Sequence, residues 1–184
     1  MTEKLPRDNS GSEWESDDDS STVKKTALPN YVVTGSWTNV DGKWMFADGT
    51  GESFKNRWAA VVNPYADAKK GQEAFDWFFF DATGHMLTGW FFDGNNWYYL
   101  NPVSDGTMGR MFTGWQLIGG TWYYLNPVSD GTRGAMKTDW QLINDKWYYF
   151  DPKAGATQGA MFKDAWIDGY YVNANGAWEP DKVK

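Results

Sequence analysis

From Tyr31 onward, short apolar runs alternate with polar turns at spacings that suit strands rather than helices. Residues 113–118 and 121–126 are β-prone runs that flank the two-residue sequence Gly119-Gly120. Such a pair accepts positive φ, which a tight β-hairpin turn requires. Equivalent turn sequences occur at Asp41-Gly42, Gly94-Asn95 and Asn144-Asp145. Because residues 65–75 are the only weak helical candidate, the pattern predicts an all-β fold built from hairpins.

The hairpins recur at a regular interval along the chain. One Trp position is spaced by 25, 25 and 26 residues, and a Met position and a second Trp position follow the same period. These positions are Trp90, Trp115, Trp140 and Trp166; Met86, Met111, Met136 and Met161; and Trp97, Trp122 and Trp147. Since an isolated hairpin is only marginally stable in water, the repeat predicts a solenoid of stacked hairpins that bury aromatic side chains against each other.

Six hairpin units are predicted. They begin at Trp37, Trp58, Trp90, Trp115, Trp140 and Trp166. Their strands are predicted near residues 35–38, 43–47, 113–118, 121–125, 138–143 and 146–150. The second unit carries a 12-residue insertion within residues 59–76, and in the last unit Gly169 replaces the second Trp. We expect residues 63–65 and Phe75 to fold back over the neighbouring hairpin as a small cluster.

The regularity of the repeat divides the chain into three parts. Residues 1–30 are polar and acidic, and Trp14 is the only large apolar residue before Leu28, so we interpret this part as a flexible linker or tail. Residues 31–83 contain the irregular N-terminal hairpin units with the insertion. Residues 84–184 contain the regular repeats and a C-terminal cap, since the end units of repeat proteins depart from the consensus.

The composition indicates a core built from aromatic side chains and excludes several kinds of chemistry. The chain has 13 Trp, 10 Tyr and 11 Phe, and each such side chain buries a large area. It has no Cys and one His, which excludes disulfides, thiolate metal sites, Cys nucleophiles and multi-histidine metal sites. His85 shares its repeat position with Arg110, Ala135 and Ala160, which indicates a structural position. We therefore expect no catalytic residues, no metal and no cofactor.

The net charge of the chain bears on which partners it can bind. Its 17 Lys and Arg residues against 24 Asp and Glu residues give a net charge of −7, which disfavours nucleic acid and mildly attracts cations. The sequence contains no apolar run of about 18 residues, so no membrane insertion is predicted. The first residues lack the apolar core of a signal peptide. The chain is therefore expected to be a fragment of a longer secreted protein, or a phage-encoded component released by lysis.

The repeated motif is Gly-Trp, six further residues, Trp-Tyr-Tyr-Leu or Phe, and then Gly-x-Met. It runs from Gly89-Trp90 through residues 97–100 to residues 109–111, and it recurs over residues 114–136 and 140–161. The motif resembles the choline-binding, or cell-wall-binding, repeat of Gram-positive surface proteins and phage lysins. This resemblance implies a β-solenoid that attaches noncovalently to choline-bearing teichoic acid, and hence an extracellular, cell-wall location. The units depart from the common form in their length and in Asp139 and Ala165, which replace the Gly before Trp.

The resemblance also implies where choline would bind. A quaternary ammonium has a diffuse positive charge and no hydrogen-bond donor, so Trp and Tyr faces attract it by cation–π interaction. The implied cage combines the two Trp of one hairpin with an aromatic residue of the next. The Trp pairs are Trp90 with Trp97, Trp115 with Trp122, and Trp140 with Trp147. Alternation along the strands suggests Tyr124, Tyr149 or Tyr171 as the third member, since each shares the face of the Trp in its strand.

Two further expectations concern the Met residues and the relative quality of the junctions. Met111, Met136 and Met161 are candidates to close the cages with an adaptable thioether. The junction between the units that begin at Trp115 and Trp140 is expected to be the best formed. It is expected to use Trp115, Trp122 and Tyr149, with Met136 between the units. The junction after Trp140 is expected to be weaker, because the shortened last hairpin places Tyr171 differently.

Three classes of function remain open at this point. The first is a noncovalent anchor that binds choline or a related cell-wall ligand. The second is a carbohydrate-binding module for glucans or for a cell-wall or capsular polysaccharide, in which Trp and Tyr stack on sugar faces. The third is a repeat stalk whose aromatic residues all belong to the core. The sequence assigns no oligomeric state.

Overall fold

The backbone is organised as two-stranded hairpins joined by loops. The computed structural model describes residues 28–182, and within them are thirteen strands and a short 3₁₀ turn at Ala68–Lys70. The strands are β1 Val32–Val33, β2 Gly35–Val40, β3 Lys43–Asp48, β4 Arg57–Val62, β5 Phe75–Phe80, β6 Gly89–Phe92, β7 Trp97–Leu100, β8 Gly114–Ile118, β9 Thr121–Leu125, β10 Asp139–Ile143, β11 Lys146–Phe150, β12 Ala165–Ile167 and β13 Tyr170–Val172. This part of the chain has no helix that is long and apolar enough to cross a membrane.

All six predicted hairpins are confirmed, each as an antiparallel pair of consecutive strands from β2–β3 to β12–β13. Three of the four predicted turns have positive φ at both residues, whereas at Gly94-Asn95 only Gly94 does and the loop between β6 and β7 has four residues. Gly119 and Gly120 have φ values of 58° and 81°, and Asn144 and Asp145 have values of 49° and 62°. Positive φ at both central residues matches the twist of the flanking strands, which is why Gly, Asn and Asp occupy these turns.

Each hairpin has two distinct faces. The cross-strand pairs Trp115↔Tyr124 and Leu117↔Trp122 place both Trp residues on one face, which we call the Trp face. Tyr123 and Leu125 lie on the opposite face, which we call the back face. The equivalent residues of the other hairpins divide in the same way, because side chains alternate along every strand.

The hairpins stack with the Trp face of one against the back face of the next. Trp115 contacts Tyr148 and Phe150, which are back-face residues of the following hairpin, at centroid distances of 4.8 and 5.6 Å. One residue of each second strand is thereby sealed in a central column. Its back-face members, each 0% exposed, are Phe80, Leu100, Leu125, Phe150 and Val172; in the first hairpin the buried residue is Phe46, 1% exposed, which lies opposite Trp37 on the Trp face. This column is the core of the solenoid.

Backbone hydrogen bonds join successive units at a fixed position. In each case the N–H of the Met position, or of Trp178 in the last unit, donates to the carbonyl oxygen of the second Trp of the preceding unit. The donor–acceptor pairs are Met86–Trp44 (2.7 Å), Met111–Trp77 (2.8 Å), Met136–Trp97 (2.8 Å), Met161–Trp122 (2.9 Å) and Trp178–Trp147 (2.8 Å). These bonds set the distance and the rotation between units. We call this hydrogen-bonded connection the joint, and the solenoid repeats it five times.

The N-terminal part contains a contact that the repeat pattern does not predict. Strand β1 pairs in parallel with β4 and extends the second hairpin to three strands. Beside it, Tyr31 stacks on Trp77 with a centroid distance of 5.7 Å and contacts Phe75 at 5.8 Å. Phe75 thus packs within its own sheet and not over the neighbouring hairpin as expected. The expected packing of Tyr65 is also wrong, because 91% of Tyr65 is exposed. The expectation of a flexible tail falls mainly on residues 1–27, which lie outside the described residues.

The long loops are held by buried asparagines. Asn126 is 2% exposed, and its Nδ2 donates to Asp130 Oδ1 at 3.0 Å and to Thr132 Oγ1 at 2.8 Å. The Thr132 hydroxyl also donates to Asp130 Oδ1, at 2.8 Å. Asn101 organises the identical preceding loop in the same way. The recurring Asn-Pro-Val-Ser-Asp-Gly-Thr sequence is therefore a loop in which the polar side chains satisfy one another.

We expect Gly134→Ala to destabilise the chain more than Gly131→Ala does. The two residues have φ values of 85° and 90°, so each variant carries the cost of about 1–2 kcal/mol for an L side chain in this region. A Cβ at Gly131 meets open space, whereas a Cβ at Gly134 overlaps Met111 Sδ. Overpacking adds about 1–3 kcal/mol. Urea denaturation measures the difference, and equal losses for the two variants would contradict the described Met–Gly contact.

We expect the Asp130 carboxylate to stabilise its loop down to unusually low pH. Hydrogen bonds from the Thr132 hydroxyl, the Thr132 N–H and the Asn126 amide lower its pKa from 3.8 to about 2. Since the folded-state pKa is the lower one, the contribution is complete above pH 3.8 and is lost as the pH falls toward 2. Thr132→Val should raise the Asp130 pKa, measured by carboxyl NMR titration. An unchanged titration in that variant would show that Thr132 is not the cause.

Candidate functional site

Three aromatic rings from two hairpins meet at the junction of the units that begin at Trp115 and Trp140. The rings of Trp115 and Trp122 are nearly perpendicular, at 87°, with centroids 6.1 Å apart. Tyr148 of the next hairpin approaches Trp115 edge-to-face at 4.8 Å and 74°. Trp115 is half-buried, whereas 41% of Trp122 is exposed. The result is a corner of aromatic surface that is open on the side of Trp122.

The same corner recurs at two other junctions. Trp90 and Trp97 have centroids 6.4 Å apart at 85°, and Tyr123 lies 4.9 Å from Trp90. Trp37 and Trp44 also have centroids 6.4 Å apart at 85°, and Phe78 takes the place of the Tyr at 5.0 Å from Trp37. The sequence analysis expected sites in the regular units only. The seven-residue spacing from Trp37 to Trp44 is the signal that identifies the N-terminal corner.

The Tyr residue that contacts the first Trp of each regular hairpin from the next hairpin is not the one that strand alternation suggested. Alternation suggested Tyr124, Tyr149 or Tyr171, but these residues lie opposite Trp115, Trp140 and Trp166 within the same hairpin, at 5.1, 5.1 and 5.2 Å. The contacts between hairpins are made instead by Tyr123, Tyr148 and Tyr170. The reason is that hairpins stack front to back, so the neighbour presents the face that its own Trp residues do not share.

The Met residues also join different junctions from those expected. Met136 was expected between the units of Trp115 and Trp140, but its N–H binds the carbonyl of Trp97, one junction earlier. Met161 binds Trp122 in the same way, and Met111 binds Trp77. The Met thioethers extend toward the glycine of the following unit, and a Cβ at Gly159 would overlap Met136 Sδ. Each Met therefore lies beside the second Trp of the preceding unit.

The last two units close the array differently. Tyr170 lies 6.0 Å from Trp140, which is farther than the equivalent contacts at the preceding junctions, and it also meets Trp178 at 6.0 Å. Trp178 occupies the position that Met holds in other units, and its N–H binds the carbonyl of Trp147. Over the final hairpin, the Lys182 ammonium lies 3.5 Å from the centroid of the Tyr171 ring. A cation of the chain itself thus covers the last aromatic face.

Two of the tyrosines that face a first Trp within its own hairpin have perturbed pKa values. Burial raises the pKa of Tyr124. Burial also raises the pKa of Tyr149, and the nearby carboxylates of Asp139, Asp168 and Asp151 raise it further. Both phenols are therefore neutral at physiological pH. The three carboxylates place negative potential beside Tyr149, which contacts the first Trp of its own hairpin.

Comparison with known proteins identifies the repeat. A family model described as a choline-binding repeat matches residues 70–108 and 112–166, about half of the chain. The crystal structure of choline binding protein F from Streptococcus pneumoniae aligns at 37% identity and a TM-score of 0.58, over 79% of this chain and 40% of that one. CbpJ from Streptococcus pneumoniae TIGR4 aligns at 31% identity and a TM-score of 0.51, over 79% of this chain and 48% of that one.

A third similar structure is that of the modular Cpl-1 endolysin in complex with a peptidoglycan analogue. It aligns at 31% identity and a TM-score of 0.50, over 81% of this chain and 40% of that one. The chain thus spans less than half of the length of each of the three structures. Comparison with curated protein sequences finds no significant match. The family match covers the three complete hairpins β6–β7, β8–β9 and β10–β11, and the chain belongs to the choline-binding repeat family.

Proposed function

We propose that the chain is a noncatalytic, noncovalent cell-wall attachment module that binds choline in the aromatic corners between successive hairpins. The observation that carries this proposal is the repeated geometry of two perpendicular Trp rings with a third ring from the next hairpin. A trimethylammonium group fits such a corner because it gains from several ring faces and leaves no donor unsatisfied. The partner is then choline-bearing teichoic acid, and the location is the outer face of the cell wall.

The strongest sites are expected at the two junctions where the corner is complete. These sites use Trp90, Trp97 and Tyr123 with Met136, and Trp115, Trp122 and Tyr148 with Met161. A third site uses Trp140 and Trp147 with Tyr170, and Trp178 replaces the thioether there. The corner of Trp37 and Trp44 is a fourth candidate. We assign no site to Trp166, because Lys182 lies over Tyr171 in that unit.

Repetition compensates for weak individual sites. A favourable cation–π contact contributes about 0.5–2 kcal/mol, so a corner of three rings holds choline with an affinity around the millimolar range. A teichoic acid displays many choline groups, and a chain with several sites binds successive groups at high effective concentration. The net charge of −7 adds a mild, long-range attraction for the cationic groups.

We expect Trp122→Phe to weaken choline binding at its junction about fivefold, which corresponds to a loss of about 1 kcal/mol. Trp is the strongest cation–π partner, and 41% of Trp122 is exposed, so the substitution removes more binding than packing. Choline titration followed by the indole N–H resonance of Trp115 measures the local affinity. Trp166→Phe is the matched control and should leave that affinity unchanged. Equal affinity of Trp122→Phe and the parent, at equal stability, would exclude a cation cage here.

A second pair of variants separates the two candidate tyrosines. Tyr148→Leu should abolish most of the choline-induced shift of the Trp122 indole resonance, because the Tyr148 ring completes that corner. Tyr149→Leu should retain the shift, since Tyr149 contacts Trp140 and Phe162 instead. The reverse result would show that the ligand meets the face predicted from strand alternation and would move the site.

A further inference from the structure

The insertion in the second unit forms one side of a groove of about 520 Å³. The groove is lined by the end of the insertion, by residues 110–113 and by Arg133. Its volume lies within the range of roughly 300–1,000 Å³ that is typical of small-molecule sites. The Met111–Trp77 hydrogen bond of the repeated joint borders it. The groove therefore occupies the position that an aromatic corner holds at other junctions.

The aromatic residues are arranged differently here. Trp77 stacks on Tyr31 at an interplanar angle of 24°, in place of the perpendicular Trp pair of the other corners. Phe112 also lines the groove; it stacks on Tyr99 with a centroid distance of 5.9 Å, and the Arg110 guanidinium lies 5.8 Å from its centroid. The groove thus presents the separate rings of Trp77 and Phe112, each already stacked on one side, rather than a three-sided box. Flat aromatic surface suits the apolar face of a pyranose ring better than it suits a spherical ammonium group.

Two arginines and two carboxylates face each other across the groove. Arg133 Nη2 lies 2.7 Å from Glu73 Oε1, and Arg110 Nη1 lies 3.9 Å from Asp76 Oδ1. Arg133 Nε is shielded from solvent and has no hydrogen-bond partner among the described residues. Burial raises the pKa of Asp76, which indicates that this carboxylate is poorly solvated. Each arginine thus faces a carboxylate, and Asp76 Oδ2 also accepts a hydrogen bond from Asn63 Nδ2 at 2.9 Å.

The equivalent positions of the other repeats do not carry these two arginines. The position of Arg110 is occupied by His85, Ala135 and Ala160 in other units, and the position of Arg133 by Met108 and Gln158. The Glu73 and Arg133 side chains meet across 60 residues of sequence. The charged groups are therefore a local feature of this junction and not part of the common joint.

We infer that this groove is a saccharide subsite that binds an uncharged, hydroxyl-rich sugar unit of a polysaccharide. A quaternary ammonium would face two guanidinium groups without offering them an acceptor, and a phosphate or carboxylate would be repelled by Glu73 and Asp76. Vicinal hydroxyls accept from a guanidinium and donate to a carboxylate at once, which matches the pairing of each arginine with a carboxylate. The Arg133 Nε–H lies behind the guanidinium nitrogens that a hydroxyl would meet, so its resonance reports on binding, and Trp77 supports the sugar ring.

The first experiment titrates the full chain with maltotriose and, separately, with the trimer of N-acetylglucosamine. The readout is the Arg133 Nε–H resonance. A saturable shift with either sugar supports the inference, and the sugar that gives it distinguishes a glucan from an amino-sugar polymer. No shift with either sugar up to its solubility limit would overturn the inference. A shift with inorganic phosphate but with neither sugar would also overturn it, since the groove would then be an anion site.

The second experiment uses the double variant Arg110→Ala, Arg133→Gln, which installs the residues of the neighbouring repeats. Because those residues already fit the same joint, the variant is expected to fold, and its thermal denaturation checks this. Sugar binding, followed by saturation-transfer NMR, should weaken roughly tenfold or more. Choline affinity at Trp122 should not change. Unaltered sugar affinity in the variant would overturn the inference. Trp122→Phe is the converse control, with sugar binding retained.

Discussion

The structure depends on the edge-to-face contact between the first Trp of each hairpin and an aromatic ring on the back face of the next. A two-stranded hairpin is marginal in water, so neither face is stable until a neighbour covers it. Trp115 against Tyr148 closes one such interface, and Trp90 against Tyr123 closes the one before it. Each contact adds about 0.5–1.5 kcal/mol beyond the area it buries. Repetition of this contact, with the Met backbone hydrogen bond beside it, generates the solenoid.

Stability and binding are divided between the two Trp residues of each hairpin. Trp115 is half-buried and contacts Tyr124, Tyr148 and Phe150, so it mainly joins two units. Trp122 is 41% exposed and forms the outer wall of the corner. A ligand at this corner would touch the Trp115 ring, which packing already holds in place, and the Trp122 ring, which is more exposed. The rigid ring reduces the ordering cost of binding, and the exposed ring provides access.

The sequence predicts the hairpins well because their signals are local. Turn residues such as Gly119-Gly120 and the 25-residue period specify the six units and their strands without knowledge of the packing. The cage partners are not local, since alternation along a strand states which side chains share a face but not which face the neighbour presents. Tyr149 was therefore expected where Tyr148 lies. The stacking of Tyr31 on Trp77 follows from the β1–β4 pairing, for which the repeat contains no signal.

The insertion shows how one unit can acquire different surface chemistry while the backbone hydrogen bond between units is preserved. The Met111–Trp77 bond has the same length, 2.8 Å, as the equivalent bond at Met136, so the joint is unchanged. Because successive repeats lie in neighbouring layers, Glu73 and Asp76 at the end of the insertion contact side chains from two successive units, Arg133 and Arg110. Neither arginine belongs to the central column or to an aromatic contact between hairpins. Charges at such positions therefore alter the surface that a ligand meets while the contacts that hold the stack together are preserved.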